Sequence, residues 1–246
     1  MSKTILITGA TDGIGFETAK VLRASGHSVL LHGRSAAKLD AARAAVAAVD
    51  VGDRIATYQA DLSSIAATRH LADEIRRAEP DLDVLINNAG VMVPPRRQET
   101  ADGFELQLGT NYLGHFALTA NLLPLLSQGH DPRVVTLSSV AARSGAIELE
   151  DLNAKRSYKP MPVYSQSKLA CLMFALELQR RSETLGWGVA SMAAHPGVSR
   201  TDLLHNAPGR WSGIGITRSL LWFLFQPAAQ GALPTLFAAT SPEARP

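Results

Sequence analysis

The chain has 246 residues, of which 46% are hydrophobic and 19% are charged, as is ordinary for a soluble globular protein. Its formal net charge of +2 is too small to indicate binding to nucleic acid or to an anionic membrane. A single cysteine, Cys171, excludes an internal disulfide and fits a reducing compartment. The first residues do not have the apolar core or the cleavage site of a secretory leader, and the longest apolar run, 220–225, is far shorter than the ~20 residues that span a bilayer. We therefore expect a cytoplasmic protein with no integral membrane span.

Short apolar segments alternate with longer helical patterns along the whole chain. The predicted strands are 4–8, 28–32, 55–59, 84–87, 134–138 and 189–194, and the predicted helices are 13–25, 36–49, 63–78, 103–127, 162–185 and 227–239. The strands are continuously apolar, as expected for parallel strands that are covered on both faces. This βαβ alternation, with no linker, predicts one α/β domain over 1–246: a doubly wound, Rossmann-like parallel sheet with helices on both faces.

A glycine-rich turn with the spacing G-x-x-x-G-x-G follows the first predicted strand, at Gly9, Gly13 and Gly15. Glycines let the backbone approach a pyrophosphate, and a helix that begins there presents free N–H groups to it. The turn therefore predicts a dinucleotide site. The alternative is a plain glycine-rich turn between a strand and a helix.

The residue after the second strand bears on the choice of dinucleotide. An acidic residue there would bind the 2′-hydroxyl of NAD, but this chain has Arg34, whose guanidinium suits a 2′-phosphate. Lys38 lies one turn further on and would assist, so NADP(H) is predicted over NAD(H). Alternatively, Arg34 is a solvated residue before a helix whose N-cap is Ser35. Asp61 would either bond the adenine amino group or begin a helix, and these two interpretations remain open.

Tyr164 and Lys168 are four residues apart and would share one face of a helix. Alone, such a pair is usually solvated. Here it follows the glycine turn and lies 25 residues after Ser139, which is the order of a hydride-transfer enzyme that uses a phenol as its acid or base. Adjacent side chains at a strand end point to opposite faces, so only one of Ser138 and Ser139 can serve.

No metal site is predicted, because His115 and His195 have no partner at ligand spacing. The segments 91–103, 146–160 and 201–217 are predicted loops at the ligand-binding ends of the strands. Apolar and aromatic residues at about 201–225 predict a lid and a lipophilic substrate. The lid residues are Leu203, Trp211, Leu220, Leu221, Trp222, Phe223 and Phe225. The alternative is that 220–225 packs in the core or against a second subunit, since a homo-oligomer is possible.

Taken in order, these motifs resemble the short-chain dehydrogenase/reductase family. They are the glycine turn, Asp61-Leu62, Asn87-Asn-Ala-Gly90, Asn111, Ser139, Tyr164-x-x-x-Lys168 and Pro196-Gly197, and they span almost the whole chain. The stretches Asp151-Leu-Asn and 164–170 are most similar to the retinol dehydrogenase and protochlorophyllide reductase-like branch. That branch mostly uses NADP(H) and acts on lipophilic carbonyls or alcohols.

The resemblance implies a catalytic tetrad of Asn111, Ser139, Tyr164 and Lys168. Tyr164 would be the acid/base, and Ser139 would donate a hydrogen bond to the substrate oxygen. Asn111 would be the helix-kink asparagine of the tetrad and would bind a water that relays protons. Lys168 would favour the phenolate and bind the nicotinamide ribose. The implied cofactor contacts are Gly9, Thr11, Asp12, Gly13, Ile14, Gly15, Arg34, Lys38, Asp61, Leu62, Asn88, Ala89, Gly90, Tyr164, Lys168, Pro196, Gly197, Val198 and Thr201.

The chain departs from the family pattern in three places. The segment 146–160 is an insertion near the substrate mouth, and 198–201 is an unusual version of the nicotinamide turn. Relatives usually continue into a further edge strand, so either the sheet lacks that strand or the chain is shortened. A non-catalytic dinucleotide-binding regulator or scaffold of the same fold is the alternative function. A nucleotide-sugar epimerase or dehydratase is a weaker one, because this chain has no room for the larger substrate domain.

Overall fold

The continuously apolar segments form one sheet of six parallel strands in the order β3-β2-β1-β4-β5-β6. The computed structural model describes residues 2–48, 54–197 and 226–245. The strands are β1 (Thr4–Ile7), β2 (Ser28–Gly33), β3 (Ile55–Gln59), β4 (Val84–Asn87), β5 (Arg133–Leu137) and β6 (Ala190–Ala194). Each predicted strand agrees with these bounds to within one residue at either end. Within the described ranges β6 lies at the sheet edge, and no strand follows the last helix up to residue 245.

Within the described residues, seven α-helices connect or follow these strands. They are α1 (Gly13–Ala24), α2 (Ala36–Ala47), α3 (Ile65–Ala78), α4 (Leu106–Leu108), α5 (Gly114–Leu126), α6 (Pro160–Leu185) and α7 (Ala228–Thr240). Two 3₁₀ turns, Val140–Ser144 and Leu149–Asp151, precede α6. None of the helices in the described ranges is both long enough and apolar enough to cross a membrane.

Both faces of the sheet are covered, which explains why the strands are apolar at every position. Ile5 and Ile7 pack in a cluster with residues of α1, α2 and α7, whereas Leu6 points to a second cluster built from α3, α5 and α6. All three side chains are fully buried. Successive side chains of a strand point to opposite faces, so a strand between two helical layers needs apolar residues throughout. The predicted doubly wound fold is thereby confirmed.

Two of the predicted helices differ from the structure. The helix predicted from 63 begins later, because the Ser63 amide donates to the Asp61 carboxylate at 2.9 Å and Ser64 is the N-cap, accepting from the Ala67 amide at 3.2 Å. The single helix predicted over 103–127 is also wrong. It is divided into α4 and α5 by a π-helical turn at Gly109–Leu113. Insertions of this kind are frequent at functional sites.

The strand order places a ligand cleft at the middle of the sheet. The chain winds outward from β1 through β2 to β3, then returns to place β4 on the other side of β1. At such a reversal the connections after neighbouring strands diverge and leave a crevice at their carboxyl ends. The connections that follow β1 and β4 begin with the glycine turn and with Asn88, so the predicted dinucleotide motifs meet there.

Candidate active site

A cleft of about 780 Å³ opens at this reversal and brings together most of the predicted site. The predicted residues that line it are Gly9, Thr11, Asp12, Gly13, Ile14, Arg34, Lys38, Asp61, Leu62, Asn88, Ala89, Gly90, Tyr164, Lys168 and Pro196. Four others, Gly15, Asn111, Ser139 and Gly197, are not among the lining residues. Val198, Thr201 and the predicted lid at 201–225 lie outside the described residues.

The glycine turn has the backbone geometry of a phosphate cradle. Gly9 and Gly13 have φ values of 64° and 55°, in the left-handed region that glycine adopts without strain. The Asp12 carboxylate caps α1 by accepting from the Gly13 amide at 2.6 Å. The next amides, of Ile14 and Gly15, belong to the first turn, where N–H groups have no partner within the helix. They are therefore suited to an anion.

Gly15 is not among the lining residues, but its missing side chain also has a packing role. A Cβ at this position would collide with the Gly9 carbonyl oxygen and with Nδ2 of Asn88. The absence of a side chain lets α1 start close against the ends of β1 and β4. Asn88 uses the same space: its Nδ2 donates to the carbonyl oxygens of Thr8 and Gly9, at 2.7 and 3.2 Å.

Two buried histidines, both neutral, form hydrogen bonds to Thr8 and Gly9 beneath the cleft. His115 Nδ1 donates to the Asn111 carbonyl at 2.8 Å, so its Nε2 accepts from the Thr8 hydroxyl at 2.9 Å. Burial, with a smaller effect of the Lys168 charge, lowers the pKa of His115 to about 3. Burial also lowers the pKa of His32 to about 4, and His32 lies between the Gly9 amide and the Ala60 carbonyl. Neither role could be predicted from the sequence, apart from the position of His32 at a strand end.

Three polar residues after β2 stand at the cleft wall. Arg34, Ser35 and Lys38 all line it, and the side chains of Arg34 and Lys38 are exposed. Ser35 is the N-cap of α2, as predicted, and accepts from the Lys38 amide at 3.5 Å. Among the described residues no carboxylate forms an ion pair with Arg34 or Lys38. Both cations are thus available to an anionic ligand.

Both interpretations of Asp61 are compatible with its position. Its carboxylate oxygen accepts from the Ser63 amide at 2.9 Å and so stabilises the turn before α3. Asp61 and Leu62 also line the cleft. A structural bond at one carboxylate oxygen leaves acceptor capacity for a ligand.

Tyr164 and Lys168 occupy successive turns of α6, and both line the cleft although each is more than nine-tenths buried. The Lys168 ammonium donates to the Leu137 carbonyl, at the end of β5, at 2.9 Å. The Tyr164 ring packs with Val93 and Ala141. A phenol and an ammonium, one helical turn apart, therefore line the same partly desolvated wall.

The two neighbouring serines differ in what they bond. Ser138 is buried, and its hydroxyl donates to the Lys168 carbonyl at 2.7 Å, which uses its one proton. Ser139 is partly exposed, and its hydroxyl oxygen accepts from the Ala141 amide at 3.2 Å. Since that bond uses a lone pair, the proton of Ser139 remains available to a ligand. This difference favours Ser139 as the donor, although Ser138 is the one that reaches the cleft wall.

Asn111 lies in the π-helical turn and is 1% exposed. Its side-chain amide accepts from the Val91 amide at 2.7 Å and donates to the Val91 carbonyl and the Ser167 hydroxyl, at 3.0 and 2.9 Å. Cys171, the buried lone thiol, donates to the Asn111 carbonyl at 3.2 Å. The side chain thus holds the start of the segment 91–105 against α6. The proton relay expected for Asn111 stays a prediction.

One wall of the cleft comes largely from the segment 91–103, which was predicted as a loop at the ligand-binding end of a strand but without named contact residues. Met92, Pro94, Pro95 and Gln98, all from the segment after β4, line it together with Leu106 and Thr110. The inserted segment 146–160 supplies none of the lining residues of this cleft. No group of three potential metal ligands occurs among the described residues.

The Pro196-Gly197 turn closes the described part of the site. Pro196 lines the cleft, and its carbonyl accepts from the side-chain amide of Gln226, just before α7. Gly197 has a φ of 65° and would carry a Cβ 2.6 Å from Gln226 Nε2. The turn therefore needs glycine for both its conformation and its space.

A family profile, two characterised proteins and a solved structure that resemble this chain are all described as dehydrogenases. The family profile described as short chain dehydrogenase matches residues 3–210. Mouse polyprenol dehydrogenase is 39% identical over 245 residues, covering 98% of this chain and 72% of the relative, and human retinol dehydrogenase 13 is 39% identical over 249 residues, with 98% and 73% covered. A short-chain dehydrogenase from Burkholderia cenocepacia, solved in complex with NADP, is 26% identical, with a TM-score of 0.74 over 99% of this chain and 92% of that one. The chain belongs to the short-chain dehydrogenase family, in the branch of the retinol dehydrogenases.

Proposed function

We propose that the protein is an NADP(H)-dependent oxidoreductase that interconverts a lipophilic carbonyl compound and its alcohol, with Tyr164 as the acid/base. The observation that carries the proposal is the placement of Tyr164 and Lys168 in the wall of the same cleft that holds the glycine turn and Arg34. One continuous cavity can therefore accept a dinucleotide along the strand ends and a substrate beside the phenol.

The residues present fit a dinucleotide with a 2′-phosphate. The left-handed glycines and the unpaired first-turn amides of α1 form an anion cradle, and Arg34 and Lys38 stand exposed at the lining. The related Burkholderia enzyme was solved with NADP, which supports the same preference here. When bound, the nicotinamide would supply or accept the hydride.

The protein's own contribution is to orient the substrate oxygen and move one proton. In reduction, Tyr164 would give its phenolic proton to the oxygen as the carbonyl carbon receives the hydride, and in oxidation it would take that proton back. Ser139 would donate a hydrogen bond to the same oxygen and stabilise the charge that develops on it. Lys168, held by the Leu137 carbonyl, would stabilise the phenolate through its charge.

A lipophilic substrate is supported by the apolar wall beside Tyr164. Met92, Pro94, Pro95 and Leu106 offer hydrocarbon surface there, next to the polar side chains of Gln98 and Thr110. The named relatives act on polyprenols and retinols, which are long isoprenoid alcohols. A long-chain isoprenoid alcohol or aldehyde is therefore the first substrate class to test.

The test is a panel of carbonyls and alcohols of graded chain length, assayed with NADPH and NADH. We expect turnover of the longer members with NADPH. Tyr164→Phe should lower kcat by roughly 10²- to 10⁴-fold, since general acid catalysis is lost. The variant should still bind NADPH, as measured by the change in nicotinamide fluorescence. A fully active Tyr164→Phe enzyme would contradict the mechanism, and NADPH binding without turnover of any substrate would favour a non-catalytic binding protein.

A further inference from the structure

A strained valine lies against the proposed acid/base. Val93 has a φ of 42°, a left-handed conformation that is a clear outlier for a β-branched residue. Its side chain is buried and packs with Tyr164 and Ala141. Strain of this kind persists only where the surroundings impose it, and it concentrates at functional sites.

Two residues outside the segment 91–105, Gln107 and Tyr158, hold this backbone conformation through hydrogen bonds. Gln107 is fully buried, and its side-chain oxygen accepts from the Val93 amide at 2.8 Å. The other end of its amide donates to the Pro160 carbonyl at 3.2 Å and to the Tyr158 hydroxyl at 3.4 Å. That hydroxyl in turn donates to the Pro94 carbonyl at 2.8 Å. The backbone of Val93 and Pro94 is thus gripped at two successive positions.

The same two segments are joined a second time further along. Asn153 accepts from Nε of Arg97 through its backbone carbonyl at 2.8 Å, and from the Glu105 amide through its side chain at 2.9 Å. Five hydrogen bonds therefore tie 93–107 to 153–160. The insertion does not line the cleft, yet it supports the segment that does.

We propose that Gln107 and Tyr158 are positioning residues for the reaction and its specificity. They hold Val93 in its left-handed conformation, and this keeps Met92 and Pro94 as a fixed wall beside Tyr164. The inserted segment 146–160 would thus influence substrate choice indirectly, by fixing this wall. The inference rests on the proposed function, because the wall matters only to a substrate that approaches Tyr164.

Tyr158→Phe is the mildest test, because it removes one hydroxyl and keeps the ring. Loss of the bond to Pro94 should loosen the wall and lower kcat/KM for a long-chain carbonyl, relative to a short one, by roughly three- to tenfold. NADPH affinity should stay unchanged, since Tyr158 does not line the cleft. Tyr112→Phe is the matched control: it removes the same atom from another half-buried tyrosine outside the lining, and the ratio should not change.

Amide hydrogen exchange measures how firmly these hydrogen bonds restrain the segment 91–105, and it needs no turnover. Peptides covering 91–105 should exchange faster in Tyr158→Phe and in Gln107→Leu, whereas peptides of β1 and α1 should be unaffected. A lower melting temperature with an unchanged long-to-short ratio and unchanged exchange at 91–105 would overturn the inference, leaving the two residues a merely structural role. If the wild-type protein turned over no carbonyl while 91–105 responded as expected, the proposed function would fail and the grip alone would stand.

Discussion

The hydroxyl of Ser138 donates to the backbone carbonyl of Lys168 at 2.7 Å, and the ammonium of the same lysine donates to the carbonyl of Leu137 at 2.9 Å. These reciprocal bonds fasten the end of β5 to the helix that carries Tyr164. The two neighbouring serines therefore differ in role: the Ser138 hydroxyl donates within the scaffold, whereas the Ser139 hydroxyl proton is available to a ligand.

We predict different consequences for the two serine-to-alanine changes. Ser139→Ala should lower kcat by about 10²- to 10³-fold, as the loss of an oxyanion donor does, with little change in melting temperature. Ser138→Ala leaves the buried Lys168 carbonyl without this donor and should destabilise the fold by about 1–3 kcal/mol. Steady-state kinetics and urea unfolding of both variants would check this. A larger kcat loss in Ser138→Ala than in Ser139→Ala would reverse the assignment.

Arg34→Ala should weaken NADPH binding far more than NADH binding. A charged hydrogen bond contributes about 1.5–3 kcal/mol, so we expect a loss of roughly 10- to 100-fold in NADPH affinity and little change for NADH. Arg43→Ala serves as the control, because Arg43 is also exposed and lies on α2 but does not line the cleft. Equal losses for the two dinucleotides would rule out a 2′-phosphate contact at Arg34.

Gly15→Ala should abolish NADPH binding through packing alone. The new methyl would overlap the Gly9 carbonyl and Asn88 Nδ2, so α1 would be displaced from the strand ends. Gly26→Ala is the comparison: its φ of 84° makes alanine unfavourable by about 1–2 kcal/mol, but its Cβ would meet no atom within 4 Å. That variant should lose stability and keep its NADPH affinity. Normal NADPH affinity in Gly15→Ala would show that the helix start tolerates displacement.

Most of the fold could be predicted because its signals are local. Parallel strands buried on both faces are apolar throughout, so the predicted β1 to β6 need little tertiary information. The break in the helix at Asn111 has no periodic signal of this kind, and only the family resemblance, which implies a helix-kink asparagine at Asn111, pointed to it. Gly109, Asn111 and Gly114 are weak helix formers, but their presence alone does not specify a π-helical turn. The side chain of Asn111 in that turn bonds to Val91 and Ser167, which lie far away in the chain.

The residues of the site likewise fall into those with a local sequence signal and those placed by contacts with distant parts of the chain. Family motifs located the glycine turn, Tyr164 and Lys168, because each is recognisable within a few residues of sequence. The wall formed by Met92, Pro94, Pro95 and Gln98, and the buried Gln107 behind it, have no such signal. Their positions depend on hydrogen bonds to Tyr158, which belongs to the inserted segment. A sequence-based search would need the pairing of two distant loops to find them.

Acid should destabilise the protein through its buried histidines. In the folded protein the pKa is about 3 for His115 and about 4 for His32, against an ordinary value of 6.5. Below pH 6.5 the unfolded chain binds protons that the folded one does not, so stability falls as the pH drops through this window. At pH 5 each group should cost on the order of 2 kcal/mol relative to pH 7.

Urea unfolding at both pH values would measure the loss. His115→Gln should lose about 2 kcal/mol less than the wild type over this interval, whereas the exposed His70→Gln should match it. A wild-type-sized acid sensitivity in His115→Gln would show that His115 is not the group that titrates.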